Sequence, residues 1–291
     1  MAKSTITPFV YFWRKRGIEA PSRARMRFLP RAIDYFYTDA TAQANASSSK
    51  SAASNDKKIG QVWDKYKDEK SNLITIDGTM ELCNDLGIDP ENVSPHGRMA
   101  KEKRADARVK DLVMFCLATD LGSKNLGEWP RDEWIKGWKS ISPKVDSLES
   151  MKSQLPALRQ KLVSDPEYFK KVYSHTFTLS LQPGARTLEL EPALAYWQAF
   201  IPPALTSKPS ALASTKPGAS SGPPEFSKAD LDLWCEFMKG KGKAVSRDTW
   251  VLFVDFVRSI DADFKEHDEE AAWPSTIDAF VEYAREKKGT Q

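Results

Sequence analysis

The chain has 291 residues, 41% of them apolar, enough to bury a sizeable core and to form one or two domains. Its 43 Lys and Arg stand against 40 Asp and Glu, and a formal charge of +3 does not mark the molecule as a whole as a nucleic-acid binder. Cys83, Cys116 and Cys235 lie far apart with no CxxC pair, which fits reduced, buried thiols, and no apolar run approaches the ~18–20 residues of a membrane span; a soluble, intracellular protein with no membrane partner is expected.

Residues 1–57 read as an arm followed by a linker. Phe9-Val-Tyr-Phe-Trp13 precedes Arg14-Lys15-Arg16, and Arg23, Arg25, Arg27 and Arg31 follow with few acids. Such a start is open to several readings: a transit peptide, or an arm that touches RNA or an anionic membrane surface. Pro8, Pro21 and Pro30 interrupt the long amphipathic helix of a transit peptide. Residues 40–57, rich in Ala and Ser, read as a flexible linker.

Folded structure is expected from near Lys58. Val62, Trp63 and Tyr66 start a helix, Leu73–Ile76 is a short extended piece, and Asp77-Gly78 turns into a helix carrying Met80, Leu82, Cys83 and Leu86. Residues 95–110 are strongly charged and nearly free of large apolar groups, an insertion. The apolar pattern resumes over residues 111–121, and Trp134 and Trp138 follow at helical spacing after Trp129. Leu148, Met151, Leu155, Leu158 and Leu162 form another stripe, and Phe169, Val172, Tyr173, Phe177 and Leu179 lead to a Pro183-Gly184 turn. After a helix over Ala193–Phe200, residues 202–224 hold Pro-Pro, Lys-Pro-Ser and Ser-Ser-Gly-Pro-Pro and read as a disordered loop. Leu231, Leu233, Trp234, Phe237 and Met238 rebuild a helix.

The stretch from Ser246 to Tyr283 is the most informative. Ser246 can cap a helix whose face carries Trp250, Phe253, Val254, Val257, Ile260 and Phe264, with Asp248 in its first turn. Beyond the acidic link Asp268-Glu269-Glu270, Pro274 suits a first helical residue, and Ile277, Phe280, Val281 and Ala284 form a second apolar face. Both helices should turn their aromatic sides inward and leave Asp248, Asp278 and the link facing water. On charge alone that is a solvated acidic hairpin.

Two stretches look like eroded calcium loops. Asp68–Thr79 has Leu73 where the sharp turn needs Gly and Thr79 where a bidentate Glu should close the shell; Asp120–Arg131 ends on Arg131. Neither should bind metal. His96, His175 and His267 show no metal-ligand spacing, and His175, between Tyr173 and Phe177, reads as half-buried packing. The cysteines sit in apolar patterns, there is no Gly-rich phosphate loop, and no catalytic residue, cofactor or metal is assigned.

Asp248-Thr-Trp250, an apolar helix, Asp268-Glu-Glu-Ala-Ala-Trp-Pro274 and Ile277-Asp-Ala-Phe-Val-Glu-Tyr-Ala-Arg285, in that order, resemble the potentiating-neddylation domain of the defective-in-cullin-neddylation family. The resemblance covers most of residues 58–287, interrupted at 95–110 and 202–224. It implies an all-α fold built from two EF-hand-like units that bind no calcium. It also implies a non-catalytic, scaffold-type co-ligase, part of a cullin-RING ligase complex, acting in cytoplasm and nucleus. Such a protein holds a cullin C-terminal region and an N-acetylated conjugating enzyme together while a ubiquitin-like modifier passes to a cullin lysine. The family's cullin-gripping patch falls on Asp248, Ala272 and Asp278. Its pocket for the enzyme's acetylated methionine falls on Ile76, Met114, Phe115, Leu117, Leu121, Trp129, Leu179 and Tyr196, while Thr79, Glu91, Leu126 and Ala199 depart from the family's pattern there. By the same resemblance Leu29–Tyr37 looks like the last helix of a ubiquitin-associated domain. The alternative is a helical adaptor that binds nucleic acid or anionic membrane through the Arg-rich arm.

Overall fold

The computed structural model describes residues 55–88, 112–125, 127–206 and 225–289. The Arg-rich arm, the helix expected at 29–37, the charged insertion over 95–110 and residues 207–224 lie outside the described residues, as do Glu91, His96 and Leu126. What is described is almost wholly helical, as expected.

The first helix, α1, spans residues 55–66 and so begins inside the stretch read as linker. Ile59, Trp63 and Tyr66 give it a buried face that carries the helix back past Lys58. Strand β1 (Leu73–Ile74) and helix α2 (Ile76–Leu86) follow, then α3 (Val113–Asp120), β2 (Trp129–Pro130) and α4 (Arg131–Ile141). β1 pairs antiparallel with β2, Leu73 opposite Pro130 and Ile74 opposite Trp129, so two helix–loop–helix units are joined through their loops. Indole and hydroxyl hydrogen bonds reinforce the junction. Trp63 Nε1 donates to the Trp129 carbonyl at 2.9 Å, Trp129 Nε1 donates to Thr79 Oγ1 at 2.7 Å, and Thr79 Oγ1 donates to the Gly127 carbonyl at 2.9 Å.

Helices α5 (Leu148–Ser164) and α6 (Pro166–Leu179) meet at Asp165, which ends one and caps the next. Its carboxylate accepts from the N–H groups of Glu167 and Tyr168, and Pro166 supplies a first residue with no N–H to satisfy. Helix α6 runs through the middle of the molecule and packs on α3, α5, α7 (Leu190–Thr206) and α9 (Arg247–Ser259). Helices α8 (Lys228–Lys241) and α10 (Ser275–Lys288) complete the C-terminal half. A second loop-to-loop pairing appears here: Leu188, before α7, and Val245, before α9, exchange both backbone hydrogen bonds, at 2.9 and 2.8 Å. The pairing of two helix–loop–helix units thus recurs along the chain.

Further expectations change. Residues 202–206, read as loop, are the last turn of α7 despite Pro202 and Pro203. Each proline removes a helical N–H, but Ile201, Pro203 and Ala204 are buried, and that burial outweighs the lost bonds. Ile260 and Phe264 are buried but lie beyond α9, which ends at Ser259. Pro274 precedes α10, at ψ 136°, rather than opening it, and Ser275 is the first helical residue.

Gly78, read as a turn residue, lies inside the first turn of α2, where a Cβ would run into the Tyr66 carbonyl oxygen. Glycine is required there by close approach of α1, not by chain reversal. Gly78→Ala should therefore lower stability by about 1–3 kcal/mol or more, the range of overpacking a filled site. Gly240→Ala, at a helical position facing open space, should raise it by up to about 1 kcal/mol. Urea unfolding of both variants checks the pair; unchanged midpoints would show that α1 simply yields.

Candidate interaction sites

The C-terminal helices carry the acidic patch. Ser246 caps α9 as expected, its hydroxyl accepting from the Thr249 N–H at 3.1 Å, and Asp248 is exposed in the first turn, where the helix dipole favours a negative charge. Trp250, Phe253, Val254 and Val257 point inward, fully buried. On α10 the buried face is Ile277, Phe280, Val281 and Ala284, and Asp278 lies in the first turn with its side chain 42% exposed. Ala272 is exposed in the connecting loop, as is the acidic link 268–270.

That loop, residues 260–274, is held from several sides. Phe264 takes a left-handed backbone, φ 60°, rare for a bulky residue, and its ring is fully buried near Phe226, Phe256 and Phe280. Arg285 Nε donates to the Phe264 carbonyl at 2.9 Å and Lys288 Nζ to the Ala262 carbonyl at 2.6 Å, so the basic end of α10 reaches back over the loop. Burial alone would raise the Asp261 carboxyl, but loop N–H groups, including those of Glu266 and Asp263, outweigh it and hold that carboxyl below the usual range. Trp273 packs on Phe256 of α9, with ring centroids 6.0 Å apart.

One residue was missed by sequence reasoning. His267, next to the acidic link, is buried, and its Nε2 lies 2.9 Å from Asp278 Oδ1. The structure thus brings Ala272, His267 and Asp278 together around one loop. Asp248 stands apart along α9, eight residues or about 12 Å of helix before Phe256.

The second set of residues is more enclosed. Met114, Phe115, Leu117, Leu121, Trp129, Leu179 and Tyr196 are each at most 2% exposed, and Ile76 is half-buried. Phe115 meets Tyr196 edge-to-face at 5.4 Å, and Tyr196 Oη accepts from Ser180 Oγ at 3.2 Å. Burial pushes the Tyr196 phenol up to about 12. These side chains pack as core, and a guest side chain would have to part them. Thr79, one of the departures from the family's pattern, is the buried hydroxyl that joins the two N-terminal loops.

The metal-loop and nucleophile candidates are engaged otherwise. Asp68 Oδ1 accepts from the N–H groups of Lys70 and Ser71, and Asp120 Oδ2 accepts from the Tyr168 hydroxyl at 2.7 Å. Arg131, at the closing position of the second loop, lies 3.8 Å from Asp64. Burial pushes the Cys83 and Cys116 thiols up to about 12 and the Cys235 thiol up to about 11, so all three stay protonated near neutrality. His175 is half-buried, with Nδ1 3.1 Å from Thr119 Oγ1, and burial lowers its pKa.

Comparison with known proteins bears on the C-terminal half first. Residues 150–283 match the cullin-binding family model. A Cryptococcus neoformans protein named defective in cullin neddylation protein 1 is 46% identical over 271 residues, 92% of this chain and 88% of its own. Proteins of the same name from Mycosarcoma maydis and Pyricularia oryzae are each 30% identical, covering 88% of this chain and 85% and 82% of their own lengths. The chain carries a cullin-binding region, has a role in cullin neddylation and belongs to the defective-in-cullin-neddylation family.

Proposed function

We propose that the chain is a scaffold-type co-ligase that binds a cullin at one surface and the neddylation conjugating enzyme at another. The observation that carries this is the exposed Asp248 and Asp278, set on two helices whose other faces are packed with aromatic rings, with Ala272 exposed in the loop between them. Such a surface suits a basic cullin lobe: complementary charge steers the encounter and fixes its register. No side chain here needs to enter bond making. Holding the thioester against the acceptor lysine replaces a bimolecular encounter with an oriented one, and that is the source of the rate gain. The raised pKa values of the buried thiols favour this scaffold role over a relay of the modifier through cysteine. Cytoplasm and nucleus are the compartments that this role implies.

Reversal of charge tests the cullin surface. Asp248→Lys and Asp278→Lys together place like charge against the basic partner, a cost of up to several kcal/mol, so affinity for the cullin C-terminal region should fall at least tenfold. Asp248 is exposed and α9 keeps its Ser246 cap, so its helix should persist. Circular dichroism checks the fold, and calorimetry of a folded double variant that binds cullin normally would remove the patch from the mechanism.

The enzyme's N-terminus is the second test. A free amine carries a charge that an apolar site cannot accept cheaply, whereas an acetylated methionine brings only an amide and a flexible thioether. The acetylated peptide should bind at least tenfold tighter than its free-amine twin, a gap of ~1.4 kcal/mol or more. Because the lining side chains are closed on one another, association should fall below the ~10⁵–10⁷ M⁻¹s⁻¹ of preformed sites. Equal affinities would make these eight residues ordinary core.

A further inference from the structure

The patch contains a buried imidazole that nothing in its charge pattern requires. His267 has a side chain only 2% exposed, yet its Nε2 reaches the 42%-exposed carboxylate of Asp278 at 2.9 Å. We propose that His267 is a positioning residue for cullin recognition, holding Asp278 in the orientation that meets the partner; this rests on the patch being the cullin surface.

A carboxylate oxygen accepts, so the ring presents Nε2–H to it across the 2.9 Å contact. Ring direction is fixed. The Phe256 ring stands edge-on at 6.0 Å and 79°, and the Trp273 ring lies at 6.1 Å and 32°. The loop that carries the imidazole is pinned by Arg285 and Lys288 through the carbonyls of Phe264 and Ala262. Pro274 has no side-chain oxygen to cap α10, and Asp278, four residues on, uses one carboxylate oxygen on His267. The rest of its accepting capacity, in a group 42% exposed, remains for a basic partner.

Packing alone would not call for histidine. The slot between Phe256 and Trp273 is aromatic, and a phenyl ring would fill it without bringing a polar atom into a buried place. Replacing His267 by Phe should therefore keep the fold, because the released carboxylate is exposed enough to be rehydrated. What is lost is the fixed direction of Asp278. An unheld carboxylate samples several rotamers, and the ordering is then paid on binding. Asp248, on the far end of the face, has no part in this bond, which supplies an internal control.

The test is a double-mutant cycle on the full chain, read as affinity for the C-terminal domain of a cullin, with melting temperature alongside. His267→Phe should bind at least fivefold more weakly with melting temperature held within a few degrees. His267→Gln, whose amide nitrogen falls near the place of Nε2, should recover part of the loss. In an Asp278→Ala background His267→Phe should add less than twofold, whereas in an Asp248→Ala background it should cost the full factor. Full affinity in folded His267→Phe, or the same loss in both backgrounds, overturns the proposal, and His267→Leu carries the same cycle should the Phe variant not fold. If Asp248→Ala and Asp278→Ala both bind cullin as the unaltered chain does, it is the patch reading that fails, and a positioning role for His267 falls with it.

Discussion

The stack of Tyr173 on Trp250 joins the central helix to the helix that carries Asp248. The rings lie 4.4 Å apart at 7°, and each residue also donates a hydrogen bond to the other's backbone: Tyr173 Oη to the Trp250 carbonyl at 2.9 Å, Trp250 Nε1 to the Tyr173 carbonyl at 3.0 Å. Trp197 Nε1 donates to the same Tyr173 hydroxyl at 2.9 Å, which ties in α7. Burying a phenol and two indoles costs stability unless their polar atoms find partners, and here each finds one inside the group. The arrangement sets the rotation of α9 about its axis: with Trp250 directed inward, Asp248 is left on the outer face.

From that anchor the patch is built outward through rings. Trp234 stacks on Phe253 at 4.1 Å and meets Phe280 edge-on at 5.0 Å, so α8 bridges α9 and α10. Phe256 then supports the loop that returns between them. That loop holds a left-handed Phe264, a conformation costing about 1–3 kcal/mol that persists only where the surroundings over-determine it. Burial of the ring and the two donors from α10 supply that constraint. A rigid loop suits a recognition surface, because less ordering is left to be lost when a partner binds.

Much of this was legible in the residues. Helices announce themselves by apolar spacing, Ser246 by its place before an apolar run, and the thiols by their apolar neighbours. Periodicity misled at Ile260 and Phe264, since a chain that folds back over a helix end also buries a residue every third or fourth position. Pro202 and Pro203 read as breakers because local propensity says nothing of the burial that holds them. Gly78 gave a turn signal, although its reason is a carbonyl on another helix. His267 was invisible, eleven residues from its partner with no spacing rule to join them. Asp248, Ala272 and Asp278 were singled out only through resemblance; charge alone describes a solvated hairpin.

Whether the chain works by bridging, as proposed, is tested directly by a single-turnover transfer assay. Cullin and charged conjugating enzyme are held fixed and limiting while the chain is titrated well past both. A bridge must hold the two partners on one molecule, so the rate should rise, pass through a maximum and fall as excess chain occupies cullin and enzyme separately. A rate that climbs to a plateau and stays there at the highest concentrations would rule out bridging, and would point to activation of one partner alone.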